Sequence, residues 1–211
     1  MNKRNYQREL DALLADIGAA GKKPKLVLHC CCAPCSSYVL EYLSGFFAIT
    51  LFFYNPNITD DAEYEKRRQE LVRLVKEGAY PGRIEFVHAD YDSGLFFERV
   101  RGLEREPECG KRCFVCYELR LRKTAELAVA AGADYFCTTL SISPHKNADK
   151  LMEIGEALSR ECGIAYLPSD FKKRDGYKRS IELSRQYGLY RQNYCGCVFS
   201  KEEVSGTGGK H

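Results

Sequence analysis

The chain has no stretch near the roughly 20 consecutive apolar residues that a membrane-crossing helix needs. Its longest apolar run, residues 46–54, is broken by Thr50. Residues 1–21 carry charges throughout and read as an amphipathic helix rather than a secretory leader. Internal repeats and low-complexity linkers are absent, so a solenoid or a tethered array is excluded. Net charge is only +3, from 32 basic and 29 acidic side chains, too little to announce a nucleic-acid partner. With 45% hydrophobic and 29% charged residues, the 211-residue chain is neither a disordered tail nor a coiled coil. These absences predict a cytoplasmic globular protein of one large or two small domains, with no membrane contact.

What charge there is lies unevenly. Residues 168–211 hold 9 basic and 5 acidic side chains, a balance of +4, while the remainder carries 23 and 24. This segment interleaves Phe171, Tyr177, Tyr187, Tyr190 and Tyr194 with its cations. Basic plus aromatic suits a polyanion with exposed bases, but taken alone the pattern is better read as an ordinary solvated surface.

Strand-like and helix-like segments alternate. Residues 25–30, 48–54, 83–88, 135–139 and 164–167 read as strands. Between and around them, helices are expected over 36–43, from the Asp60/Glu63 capping pattern to Gly78, near 95–103, and over 113–131, 147–162 and 178–187. Val39, Leu40 and Leu43 mark the inner face of the first of these, and Leu71, Val72 and Val75 that of the second. Such alternation predicts a single Rossmann-like (HUP-like) α/β domain with a parallel sheet and a helical, cysteine-bearing C-terminal extension. The expected division is an N-terminal helix over 1–24, the α/β domain over 25–170 and the extension over 171–211. Ligands of open parallel sheets bind beyond the carboxyl ends of the strands. There the chain places His29 with the cysteines that follow, then Asn55, Asp90, the stretch from Thr138 to Lys146, and Asp170. A phosphate loop after the first strand would need glycines; His29 to Cys35 contains none, which counts against ATP use.

Cysteine is plentiful instead. Nine of eleven fall into three groups: Cys30, Cys31, Cys32 and Cys35; Cys109, Cys113 and Cys116; Cys195 and Cys197. Cys137 and Cys162 stand alone in apolar surroundings as small core residues. A disulfide framework fits poorly in a reducing compartment, so the groups imply metal or redox chemistry. Cys113 and Cys116 share a helical face near a helix N-terminus, where the dipole favours thiolates. Three readings remain open. A structural zinc would be satisfied by two CxxC pairs, leaving Cys31, Cys195 and Cys197 idle. A disulfide exchanger would use Cys32 and Cys35 alone. An iron–sulfur cluster, with or without a second metal, uses all three groups, and it is the preferred reading.

The blocks carrying these residues resemble the cobalamin-independent epoxyqueuosine reductase family. They run from His29-Cys30-Cys31-Cys32-Ala33-Pro34-Cys35 through Glu106-Pro107-Glu108, Arg112-Cys113-x-x-Cys116 and Leu119-Arg120-Leu121. Thr138-Thr139-Leu140, Ser143-Pro144-His145-Lys146 and Asp170-Phe171-Lys172-Lys173 follow, and Tyr190-Arg191-Gln192-x-Tyr194-Cys195-Gly196-Cys197 completes the series. The resemblance implies reduction of an epoxide on a modified base in a transfer-RNA anticodon, the last step of queuosine synthesis. It also implies a 4Fe-4S cluster, a nearby non-cluster metal taken as iron, and an electron donor that the sequence does not name. The implied ligands are Cys31, Cys32, Cys35, Cys113, Cys116, Cys195 and Cys197, with Cys30 at a variable place and Cys109 where glycine is usual. His145 and Lys146 are the expected proton donors, and Asp90 or Asp170 would complete the second metal site. Ser143, Thr138, Thr139, Lys172, Lys173, Arg191 and Tyr194 are expected to bind substrate, with Arg174, Lys178 and Arg179 meeting further phosphates. The alternatives are a transfer-RNA-binding module with a structural metal, and a thiol–disulfide or sulfur-transfer enzyme acting on transfer RNA.

Overall fold

The computed structural model describes residues 4–207. Positions 1–3 of the expected N-terminal helix and 208–211 of the expected extension lie outside the described residues. Five strands, β1 (Lys25–Cys30), β2 (Ala48–Phe53), β3 (Ile84–His88), β4 (Tyr135–Thr138) and β5 (Ala165–Tyr166), form one sheet. Every pairing is parallel and the order is β3-β2-β1-β4-β5. Side chains alternate across each strand, so Leu26, Leu28 and Cys30 of β1 enter one core and Val27 the other. Burial on both faces explains why the central strands read as apolar runs rather than alternating ones.

The helices are α1 (Tyr6–Ala20), α2 (Ala33–Leu43), α3 (Asp61–Glu77), α4 (Ser93–Arg99), α5 (Lys111–Ala130), α6 (Ala148–Cys162), α7 (Gly176–Gln186) and α8 (Val198–Thr207). Leu10 and Leu14 of α1, Leu40 and Leu43 of α2, and Leu71 and Leu74 of α3 fill the first core. Leu121 and Ala125 of α5 and Leu151 and Leu158 of α6 fill the second. A 3-10 turn, Thr139–Ile142, follows β4.

Three sequence expectations need correction. Helix α2 begins at Ala33 rather than Ser36: Cys32 is extended at its N-cap, and Pro34 occupies the first turn, where a missing N–H costs nothing. On α3, Val72 is exposed, and its place on the inner face belongs to Arg67 and Leu74. The Asp60 carboxylate does cap Glu63 N at 3.1 Å, but the Glu63 carboxylate turns away to Arg67 and Tyr190. Helix α8 has too few apolar residues to mark a face. Side-chain ties hold it instead: Ser200 Oγ accepts from Cys195 N at 3.3 Å, and Glu203 pairs with buried Arg112 at 2.9 Å.

Candidate metal centre and its cavity

Strand order reverses at β1, with β2 on one side and β4 on the other, and the crevice at that switch is where open parallel sheets bind ligands. Buried His29, at the end of β1, ties the floor of the crevice together. Its Nε2–H donates to the Tyr54 carbonyl at 3.1 Å, so Nδ1 accepts from the Thr138 hydroxyl at 2.9 Å. Burial, seconded by the charge of Arg120, drives this imidazole down to about 3, and it stays neutral. Thr138 and Thr139 are wholly buried behind the crevice and do not line it.

Just past His29 the chain enters the Cys31–Cys35 turn. Cys31, Cys32 and Cys35 place their sulfurs within 4.8 Å of one another. That spacing is close to the roughly 3.8 Å expected between two thiolates on one tetrahedral ion with bonds near 2.3 Å. The Cys31 thiol donates to the Cys32 sulfur at 3.7 Å. Hydrogen bonds from Cys31 and Cys35, with the Arg67 charge beyond, hold Cys32 well below the usual thiol range despite its burial. Cys30 points the other way, into the first core, with its thiol 3.4 Å from the Phe52 carbonyl. These three thiols can hold a metal ion.

Of the remaining four thiols, Cys195 lines the same cavity as Cys31 and Cys35. Cys116, Cys195 and Cys197 pack in one small cluster with Phe96, Val100 and Phe199. Cys113 lies one turn before Cys116 on α5 and is pushed up to about 11 by burial, with Cys195 adding to the effect. Cys195 and Cys197 sit 3.6 Å apart around Gly196, whose φ of 118° lies outside the range of ordinary side chains. The Cys197 thiol and the charge of Lys146 hold Cys195 below its usual range against burial. Arg120 lies buried on the cavity wall and donates to the Cys116 carbonyl at 3.0 Å, and the neighbouring Cys116, Cys31 and Cys195 raise its guanidinium despite burial. Cys109, with φ 67° in the left-handed region, turns its thiol to the His145 carbonyl at 2.8 Å.

Cys31, Cys35 and Cys195 open onto one cavity of about 390 Å³. Its walls include Arg67, Glu108, Arg120, Ser143, His145, Lys146, Arg191 and Tyr194. His145 is exposed at its rim, while Lys146 is nearly buried and pairs with Glu108 at 2.7 Å. Burial would lower the Lys146 ammonium, but Cys195, Tyr117 and Glu108 outweigh it and hold the group protonated. Of the expected substrate residues, Ser143, Arg191 and Tyr194 line this cavity, while Lys172 and Lys173 line a neighbouring one. Asp170 faces that second cavity, paired with Lys172, and Asp90 is exposed beyond the end of β3. The structure therefore does not bring either carboxylate to the thiols.

Arg67, Arg120, Glu108 and Gln192 line the site without having been assigned roles from the sequence. Glu108 and Arg120 sit inside the quoted blocks, so a signal existed. Arg67 gave none, because it lies in the highly charged run of α3.

The comparisons with known proteins point to one family. The family described as epoxyqueuosine reductase QueH matches residues 26–203. This chain belongs to the epoxyqueuosine reductase QueH family. A relative of that name from Streptococcus pyogenes serotype M1 is 44% identical over 200 residues, covering 94% of this chain and 78% of its own length. One from Staphylococcus epidermidis is 40% identical over 205 residues, covering 94% and 85%. A third, from Thermotoga maritima, is 34% identical over 181 residues, covering 83% and 89%. The enzyme is an oxidoreductase, as the QueH family is. Among the described residues, no helix is long and apolar enough to cross a membrane.

Proposed function

We propose that this chain reduces the epoxide of epoxyqueuosine in a transfer-RNA anticodon to the alkene of queuosine. Two carbon–oxygen bonds break, two electrons and two protons enter, and the oxygen leaves as water. The observation that carries this reading is that thiols from two separate groups, Cys31 and Cys35 from one and Cys195 from the other, open onto a single cavity walled by cations. A thiol–disulfide exchanger needs two thiols and a structural zinc needs four; neither accounts for thiols of two separate groups at one opening, with further cysteines behind them.

The donor set fits soft metals. The compact Cys31, Cys32 and Cys35 group suits a single ion, here iron. Cys113, Cys116, Cys195 and Cys197 would hold a 4Fe-4S cluster, one thiolate per iron, with the Cys195 and Cys197 sulfurs, 3.6 Å apart without metal, parting around Gly196. When bound, these groups supply electrons one at a time and a Lewis-acid position for the epoxide oxygen. The protein residues do the rest. Arg67 and Arg120 hold buried positive charge against the thiolates. Lys146, kept protonated, faces the place where negative charge develops on the departing oxygen. His145, at the open rim, delivers a proton from solvent. Tyr194 and Arg191 meet the nucleotide, the ring by stacking on a splayed base and the guanidinium by pairing with phosphate. The electrons come from a one-electron carrier that docks outside the cavity.

The test is anaerobic incubation of the iron-loaded enzyme with transfer RNA bearing epoxyqueuosine and a chemical one-electron donor. Mass analysis of the released nucleoside should show the loss of one oxygen atom. An unchanged nucleoside, with the metal sites full, would remove the reading.

A further inference from the structure

The charged groups on the wall of the thiol cavity are cations with a single exception. Arg67, Arg120, Lys146 and Arg191 line it, and Glu108 is the one carboxylate beside them among the described residues. Its Oε1 accepts from the Lys146 ammonium at 2.7 Å. Its Oε2 is neither hydrogen-bonded among the described residues nor buried. The Glu108 side chain is 27% exposed while Lys146 behind it is nearly covered, so the free oxygen belongs to the open side of the pair. A carboxylate that served only to hold Lys146 would have no need to keep half its acceptor capacity at a cavity wall.

The turn that carries Glu108 is pinned from several directions. Gly110 N closes on the Pro107 carbonyl at 3.0 Å, and Glu108 N donates to the Glu203 carboxylate at 3.3 Å. Buried Arg112 donates to the carbonyls of Glu104 and Glu106, and the Cys109 thiol is tied to the His145 carbonyl. The carboxylate is therefore presented on a preset loop, and a ligand that meets it has little left to order. An acid and a cation held side by side match one feature of the substrate assigned above. Epoxyqueuosine carries a secondary amine on the ring carbon next to its epoxide, and an alkyl amine is charged at neutral pH. We propose that Glu108 Oε2 binds this ammonium while Lys146 beside it faces the epoxide oxygen. The proposal rests on the function assigned above and goes further, because it makes Glu108 a specificity residue. Without that carboxylate, an ammonium entering the cavity would meet only the like charges of Arg67, Arg120, Arg191 and Lys146.

The experiment measures the affinity of two anticodon stem-loop RNAs for the metal-loaded enzyme, anaerobically and with no electron donor present. One RNA carries epoxyqueuosine; in the other an ether oxygen replaces the linker amine. The wild type should bind the amine about tenfold more tightly, the weight of one charge-assisted hydrogen bond at a partly open site. Glu108→Gln should bind the two RNAs alike, and Glu108→Asp should keep part of the preference. Lys146→Met releases the carboxylate from its partner, so it should keep the preference or enlarge it. Equal affinities in the wild type, or an undiminished preference in Glu108→Gln, would overturn the proposal. If Lys146→Met abolishes the preference as fully as Glu108→Gln does, Glu108 is only a tether for Lys146 and the proposal falls. Epoxide reduction by the wild type is scored separately with a donor added, so failure of the reaction remains distinguishable from failure of the ammonium subsite.

Discussion

The guanidinium of Arg67 donates to the backbone carbonyl of Cys195 at 3.0 Å, bridging 128 residues of chain. It also reaches the Tyr194 carbonyl at 3.3 Å and pairs with Glu63 at 2.7 Å while fully buried. Helix α3 thereby fixes the position of the C-terminal thiol pair, which has little regular structure of its own before α8. The same guanidinium lies over the Tyr194 ring at 5.3 Å. One side chain thus sets both a pair of thiols and an aromatic wall of the cavity.

Removing Arg67 should be costly for that reason. Arg67→Met leaves the Glu63 carboxylate, only 11% exposed, without its cation. A loss of about 3 kcal/mol in unfolding free energy is expected, the usual result of breaking one half of a buried pair. Denaturant unfolding of the metal-free protein gives the energy. Iron analysis should show a loss centred on Cys195 and Cys197 rather than on the Cys31 group.

Gly196 is the hinge between those two thiols. A Cβ there would stand 2.8 Å from Ile58 Cγ1 and 3.2 Å from the Arg67 guanidinium, at a φ of 118°. Gly196→Ala should cost about 2–3 kcal/mol and weaken cluster retention. Gly132→Ala, at φ 59° with nothing within 4 Å, should cost about 1 kcal/mol and leave metal content intact. Equal effects at the two positions would show that the close approach to Arg67 is unimportant.

The thiols should separate into three classes by metal content. Serine at Cys113, Cys116, Cys195 or Cys197 should abolish the visible absorption of a cluster. Serine at Cys31, Cys32 or Cys35 should remove the single ion and leave that absorption largely in place. Cys137→Ser and Cys162→Ser should keep both metals. Cys137 sits wholly buried with its sulfur 3.5 Å from the Leu167 carbonyl, so its variant loses at most stability.

Lys146→Met should lower turnover of bound substrate by about 100-fold or more, the scale of losing one charge aimed at a developing oxyanion. Iron content should be unchanged, and Lys146→Arg should recover part of the rate. Glu108→Gln removes the partner of Lys146 at 2.7 Å and should have a smaller effect on the rate. Single-turnover assays separate these effects from product release.

The strands were legible because two-sided burial writes apolar runs such as Leu26-Val27-Leu28, and their ends pointed to the edge of the sheet where the Cys31–Cys35 turn and its cavity lie. The Cys31, Cys32 and Cys35 group was legible from its spacing, and the structure brings those three sulfurs within 4.8 Å of one another. Arg67 was not, because a buried arginine inside a charged helix looks like one more solvated side chain until its carbonyl partners are known. Asp90 and Asp170 were placed correctly at strand ends, yet β3 is an edge strand and Asp170 turns toward Lys172, which a rule about strand ends does not foresee. The α8 helix was not legible either, since ties such as Arg112 to Glu203 hold it in place of an apolar face.

The most direct measurement is the iron and acid-labile sulfide content of anaerobically purified enzyme, read with its visible spectrum. A single ion on Cys31, Cys32 and Cys35 and a cluster on the other four thiols predict a brown protein with about five irons and about four sulfides per chain. A colourless, fully active protein with stoichiometric zinc and no sulfide would contradict the account.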